Sequence, residues 1–261
     1  MKTADLRCPR EFRPCNGKVM DAGPEGETDL PILYQDDRYV AVHKPAGMLV
    51  HRSPMDRGET VFCLQLLRDQ LGRTVYPCHR LDKPTSGLLL FALDPEALQE
   101  ANRLWQENRV HKHYLALVRG WLEGEGLVDH PLRIILDSGK PGRERQEART
   151  RYRCLHRYEV PMPVGPYPSA RYSLMELSPE TGRTHQLRRH MKHLSHQVIG
   201  DTRYGDGRHN AFFREKYAFH RLFLASVSLE FNHPFSGKRL LLSCPPDPEL
   251  TRVLGLLPLT A

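Results

Sequence analysis

Asp82 lies in the stretch HRLDKPTSG, residues 79–87. Arg80 and Lys83 flank it, Pro84 and the pair Ser86-Gly87 supply turn chemistry, and an apolar run from Leu88 to Leu93 follows. Most aspartates in such a setting are turn residues paired to a neighbouring cation. Two features set this one apart. The run that follows is apolar at every position, as in a strand buried on both faces, so Asp82 stands at the mouth of a buried element. The flanking cations also favour the charged carboxylate. An ionised, partly desolvated carboxylate can serve as a nucleophile or a base.

A second stretch, PETGRTHQLRRHMKH at residues 179–193, carries Arg183, Arg188, Arg189 and Lys192, with no acid from Arg183 to His193. On a helix Leu187, Met191 and Leu194 form the inner stripe, and Arg188 sits beside it, where it can point into a cleft. A solvated basic face is the ordinary alternative. The histidines His185, His190, His193 and His196 raise a metal site, but no carboxylate accompanies them and the spacing is not that of a zinc motif. A third stretch, HKHYLALV, places Tyr114, Ala116 and Val118 on one face of a strand. Taken alone, that tyrosine reads as packing.

The 261 residues suffice for one large domain or two small ones. The net charge of +7 favours a polyanionic partner. No apolar run approaches the roughly 20 residues of a membrane span, and the start lacks the apolar core of a signal peptide. Six cysteines (8, 15, 63, 78, 154 and 244) are scattered without a CxxC pair, which fits reduced thiols. Nucleotide-binding loops, HExxH and GxSxG are all missing from the sequence. A cofactor-free enzyme or a binding module remains.

Elements must position these residues. Residues 1–29 read as a polar leader and residues 30–261 as one catalytic domain. Strands are expected at Tyr39–His43, Val75–His79, Leu88–Leu93, residues 111–122, along ARTRYRCLHRYEV (148–160) and along RYSLMELSP (171–179), with two more around a turn at 234–237. Helices are expected from a Thr60 cap to Gly72, from an Asp94 cap with Leu98, Ala101 and Trp105 inward, from Thr184, and from near Asp247. Residues 137–148 and the proline-rich 161–170 read as loops. Along 148–160 the period of two puts Arg149, Arg151 and Arg153 on one face. Strands outnumber helices and short turns join many of them, which favours an α+β fold with a largely antiparallel sheet.

In this order HRLDKPTSG, HKHYLALVRG and ETGRTHQLRRH closely resemble the signature motifs of the RluA-type pseudouridine synthases. The resemblance runs from about Ile32 to about Cys244 and includes HKPAGMLVH. The proline-rich insert, the doubled arginine of HQLRRH and VIGDTRYGD resemble the tRNA pseudouridine-65 synthase subgroup. With residues 1–29 before the core, the S4-like RNA-binding domain of the ribosomal-RNA members is not expected.

The resemblance implies a pseudouridine synthase fold, a mixed sheet flanked by helices with the active-site cleft across it, and a reaction without cofactor or metal. It makes Asp82 the essential aspartate, as nucleophile at C1′ or as base toward the sugar. Arg188 pairs with it, Tyr114 stacks on the flipped uracil and takes the C5 proton, Leu187 lines the pocket, and Arg80 fills the gap the base leaves. Arg183 and the Arg149, Arg151 and Arg153 face are expected to hold RNA phosphates. The implied partner is tRNA, met by a cytoplasmic monomer without a protein partner. Three alternatives stay open: a ribosomal-RNA or dual-specificity member, a catalytically silent RNA-binding protein on the same scaffold, and a two-carboxylate hydrolase.

Overall fold

The computed structural model describes residues 29–51, 60–136 and 138–260. The expected leader, apart from Asp29, and Cys8 and Cys15 lie outside the described residues.

The chain runs β1 (Ile32–Gln35), β2 (Tyr39–Lys44), α1 (Cys63–Leu71), β3 (Tyr76–Pro77), β4 (Ser86–Ala92), α2 (Pro95–Gln106), β5 (His111–Arg119), β6 (Glu125–Asp129), β7 (Leu132–Ile135), β8 (Pro141–Gln146), β9 (Arg149–Val160), β10 (Ala170–Pro179), α3 (Gln186–His193), α4 (Gly207–Tyr217), β11 (Leu224–Asn232), β12 (Arg239–Ser243) and α5 (Pro248–Leu256). The main sheet has the order β1-β2-β4-β11-β5-β10-β9-β6, with β12 on β11 and β3 on β4. Among the described residues its pairs are antiparallel except β4 with β11. The fold is therefore α+β with a mixed, largely antiparallel sheet, as expected.

The run after Asp82 becomes β4, which is buried at every position. Alternation sends Leu89 and Phe91 into one core cluster and Leu88, Leu90 and Ala92 into another. Gly87 is needed where β4 meets β11. Its φ is +107°, and a Cβ there would lie 2.1 Å from the Ser226 carbonyl oxygen. In the register Ser226 faces Gly87 on one side and Tyr114 on the other, next to an irregularity in the β11–β5 ladder. The glycine of the first motif thus lets the Asp82 turn dock one strand away from Tyr114.

Several boundaries differ from the expectation. Helix α1 starts at Cys63 with Phe62, not Thr60, at its cap, because Phe62 bridges Leu49 in extended form. Strand β3 holds only two residues, and β5 ends at Arg119, where Gly120 turns with φ +79°. Residues 137–148, expected as a loop, contain β8, an exposed polar strand paired to β7 with no apolar alternation to reveal it. Helix α4 has no counterpart among the expected elements. Helix α2 begins at the Asp94 cap as expected, but Ala97, Ala101 and Leu104 are its buried residues, while Leu98 and Trp105 are only half-buried. Helix α3 buries Leu187 and Met191, and also Gln186, Arg188 and His190. The described cysteines, 63, 78, 154 and 244, are free.

Candidate active site

Six of the nine residues singled out by sequence converge on one cleft of about 280 Å³: Arg80, Asp82, Tyr114, Arg183, Leu187 and Arg188. It spans the turn before β4, strand β5, the loop after β10 and the start of α3.

The Asp82 turn is held from below. The Thr85 N–H donates to the Asp82 carbonyl at 3.0 Å, and the Lys83 carbonyl accepts from the Gly47 N–H at 2.8 Å. Lys44, fully buried, donates to the carbonyls of Pro45, Met48 and Lys83 at 2.8, 2.7 and 3.1 Å. Burial pulls its pKa down to about 8, against the attraction of Asp82 among others. The KPAG turn and the Asp82 turn are thereby tied through one ammonium group.

Asp82 finds its cation far along the chain. Nη1 of Arg188 donates to its Oδ2 at 3.1 Å, whereas the flanking Arg80 is exposed at the cleft rim. Arg188 is 5% exposed and Asp201 2%, and the two are joined by a bidentate pair, Nε to Oδ2 and Nη2 to Oδ1, at 2.8 Å each. The N–H groups of Arg203 and Tyr204 also donate to Asp201, both at 2.9 Å. Burial opposes the charge on Arg188, but its bonds to Asp201 and the charges of Asp201 and Asp82 outweigh that and raise its pKa. Burial likewise opposes the charge on Asp201, and Arg188 with the two backbone donors reverses the sign.

His185 closes a ring around this arrangement. Its Nε2 stands 4.0 Å from Oδ2 of Asp82, and its Nδ1 is 3.0 Å from the Tyr204 hydroxyl. The Tyr204 ring in turn lies 5.2 Å from the Arg188 guanidinium carbon. His185 has φ +56°, a left-handed conformation that costs a non-glycine residue about 1–2 kcal/mol.

The loop that carries Arg183 is organised by Gln186. Its Oε1 accepts from the Thr181 hydroxyl and the Arg183 N–H, and its Nε2 donates to the Arg149 carbonyl and the Thr150 hydroxyl. Arg183 itself donates to the Glu147 carbonyl at 2.9 Å. Tyr114 is 9% exposed. Burial first, then the negative charge of Asp82, drives its pKa up, so it holds its proton and offers a ring face rather than a ready base.

Arg149, Arg151 and Arg153 share a face, as their spacing predicts, but do not line the cleft. Each is paired with an acid: Arg149 with Asp129 at 2.9 Å, Arg151 with Glu180 at 2.7 Å and Arg153 with Glu176 at 3.2 Å. Both ring nitrogens of His190 are engaged, Nδ1 with the Thr150 hydroxyl and Nε2 with the His130 carbonyl. His193 stacks on His130 at 3.8 Å.

Sequence reasoning overlooked Asp201, Tyr204 and His185 as members of the site. One signal was available for Asp201. A buried arginine in an acid-free run needs a carboxylate from elsewhere, and Asp201 is the first acid after Glu180.

Residues 38–193 match the family described as RNA pseudouridylate synthase. The chain belongs to the RNA pseudouridylate synthase family. That assignment agrees with the RluA-type motifs and makes the protein an isomerase of uridine. It is 49% identical to tRNA pseudouridine synthase C of Vibrio parahaemolyticus, over 84% of this chain and 91% of that protein. It is 50% identical to tRNA pseudouridine synthase C of Pasteurella multocida, over 81% of this chain and 89% of that protein. Among solved structures it resembles human RNA pseudouridylate synthase domain containing 1, with a TM-score of 0.69 and 26% identity over 92% of each chain. The pseudouridine synthase fold expected from the motifs is the one observed.

Proposed function

We propose that the protein converts a uridine of tRNA to pseudouridine, at position 65 in the T-stem, with residues 30–261 as the catalytic domain. The names of its relatives in Vibrio parahaemolyticus and Pasteurella multocida support tRNA as the substrate. The observation that carries the reading is the Asp82 carboxylate, bonded to Arg188 in a cleft that Tyr114 also lines.

The reaction is an isomerisation. The C1′–N1 bond breaks and a C1′–C5 bond forms. C5 gives up its proton and N1 receives one, so atoms and electrons balance without a co-reactant. Asp82, held in place by its bond from Arg188, acts on the sugar as nucleophile at C1′ or as base. The neutral ring of Tyr114 is a stacking platform for the flipped uracil, beside the apolar wall of Leu187. Arg80, exposed at the rim, is placed to enter the space the base vacates. Arg183 and the Arg149, Arg151 and Arg153 face hold phosphates of the surrounding helix. The protein works as a monomer in the cytoplasm and needs no cofactor. No helix among the described residues is long and apolar enough to cross a membrane.

The test is tritium release from unmodified tRNA labelled at uracil C5, comparing wild type with Asp82→Asn, followed by mapping of the product. Release by wild type alone is expected, with the product at position 65. Release from ribosomal RNA fragments but not from tRNA would move the substrate. Release from neither, with the protein folded, would leave the silent RNA-binding reading in its place.

A further inference from the structure

One cation of the cleft has no role in the chemistry described so far. Lys112 lines the same cleft from β5, two residues before Tyr114 and on the same face of the strand. Same-face neighbours lie about 7 Å apart, a span comparable with that from a nucleotide's base to its backbone phosphate.

The other buried or half-buried cations near the catalytic turn are satisfied. Arg188 is shared by two carboxylates and Lys44 by three carbonyls. Lys112 is half-buried, yet its ammonium makes no hydrogen bond or ion pair with any described residue. Burial lowers its pKa. A desolvated charge without a counter-charge is unfavourable unless a ligand supplies one.

Its surroundings fit an anion. His79, next to it, is held neutral: burial and then the Lys112 charge bring its pKa to about 3. The His79 ring nitrogen Nε2 accepts from the Leu90 N–H at 3.1 Å, and its ring stacks on Trp105 at 5.3 Å and 18°. The corner formed by Lys112, His79, Trp105 and Arg80 thus contains two cations and no acid.

We propose that Lys112 forms a phosphate subsite, its ammonium binding a backbone phosphate oxygen beside the uridine held in the cleft. This rests on the cleft being the uridine site. In this role Lys112 takes no part in the chemistry. It anchors the backbone while the base lies against Tyr114. A contact to a uracil carbonyl would leave the charge uncompensated, whereas a phosphate neutralises it.

The test measures binding of unmodified tRNA across a range of salt concentrations for wild type, Lys112→Gln and Lys112→Arg, beside their steady-state tritium release. For Lys112→Gln the expected result is about tenfold weaker binding at low salt, and a plot of log K against log salt shallower by roughly 0.7–0.9, the value for one phosphate. The loss in turnover should fall on KM and not on kcat. Lys112→Arg should restore the slope, which separates charge from folding. An unchanged slope for Lys112→Gln, or a loss in kcat at constant KM, would overturn the proposal. Binding is read without catalysis, so a wild type that binds but releases no tritium would strike at the isomerase reading and leave the Lys112 test intact.

Discussion

Asp201 grips Arg188 through both carboxylate oxygens at 2.8 Å and leaves only Nη1 for Asp82. The reacting carboxylate is thus positioned by an arginine that is itself fixed by a second, more deeply buried acid. Asp201→Asn keeps the shape but removes the charge that holds the fork in plane. Turnover should fall on the order of 100-fold, since small displacements of reacting groups have costs of that size. RNA binding should change little. Asp201→Ala breaks a buried pair and should also destabilise by about 3–5 kcal/mol. Single-turnover tritium release and chemical denaturation check the two effects. Full turnover by Asp201→Asn would show that Asp82 alone orients Arg188.

Gly87 is the hinge between the catalytic turn and the parallel strand pair. Alanine there meets the Ser226 backbone at 2.1 Å and must adopt φ +107°. Overpacking and backbone strain together should cost about 3 kcal/mol or more. Denaturation midpoints of Gly87→Ala against wild type measure this. A variant of unchanged stability would mean that β4 and β11 can part without loss.

Much of this was legible before the structure. The apolar run after Asp82 could only be a buried strand, the Asp94-Pro95 pair marks a helix start, and Tyr114 alternates with Ala116 and Val118 into one cluster. The motifs also brought six residues to one cleft. What stayed hidden was of two kinds. Strand β8 and helix α4 carry little apolar periodicity, so their signal lies in pairing partners far along the chain. Asp201 and Lys112 are single charged residues whose burial depends on what packs over them. Their types look ordinary, and only the absence or presence of a counter-charge in space makes them informative.

The Arg149, Arg151 and Arg153 face must exchange carboxylate partners for phosphates if it is to hold RNA. The Arg149 and Arg151 pairs are exposed and worth only about 0–1 kcal/mol, so their exchange is nearly free of cost, whereas Arg153 must leave a Glu176 side chain that is only 12% exposed. Replacing all three by glutamine should weaken tRNA binding and flatten the salt dependence by roughly 0.7–0.9 for each phosphate no longer neutralised. Isomerisation at saturating tRNA should persist, because none of the three lines the cleft. An unaltered salt slope would assign the face to cross-strand pairing alone.

His190 gives the fold a pH dependence of known sign. It is fully buried, Nε2 faces the His130 carbonyl, and Nδ1 faces the Thr150 hydroxyl, whose oxygen already accepts from Gln186. With Nε2 donating and the Thr150 hydroxyl donating to Nδ1, the ring is neutral. Burial lowers its pKa from 6.5 to about 4. Between those values the unfolded chain binds the extra proton and the folded protein does not. The contribution is therefore complete above pH 6.5 and is lost as pH falls toward 4. Wild-type melting temperature should drop across that window. His190→Gln, less stable at neutral pH, should show a smaller drop over the same range. Equal drops in the two proteins would assign the acid sensitivity to other buried histidines, of which His79 is the first to examine.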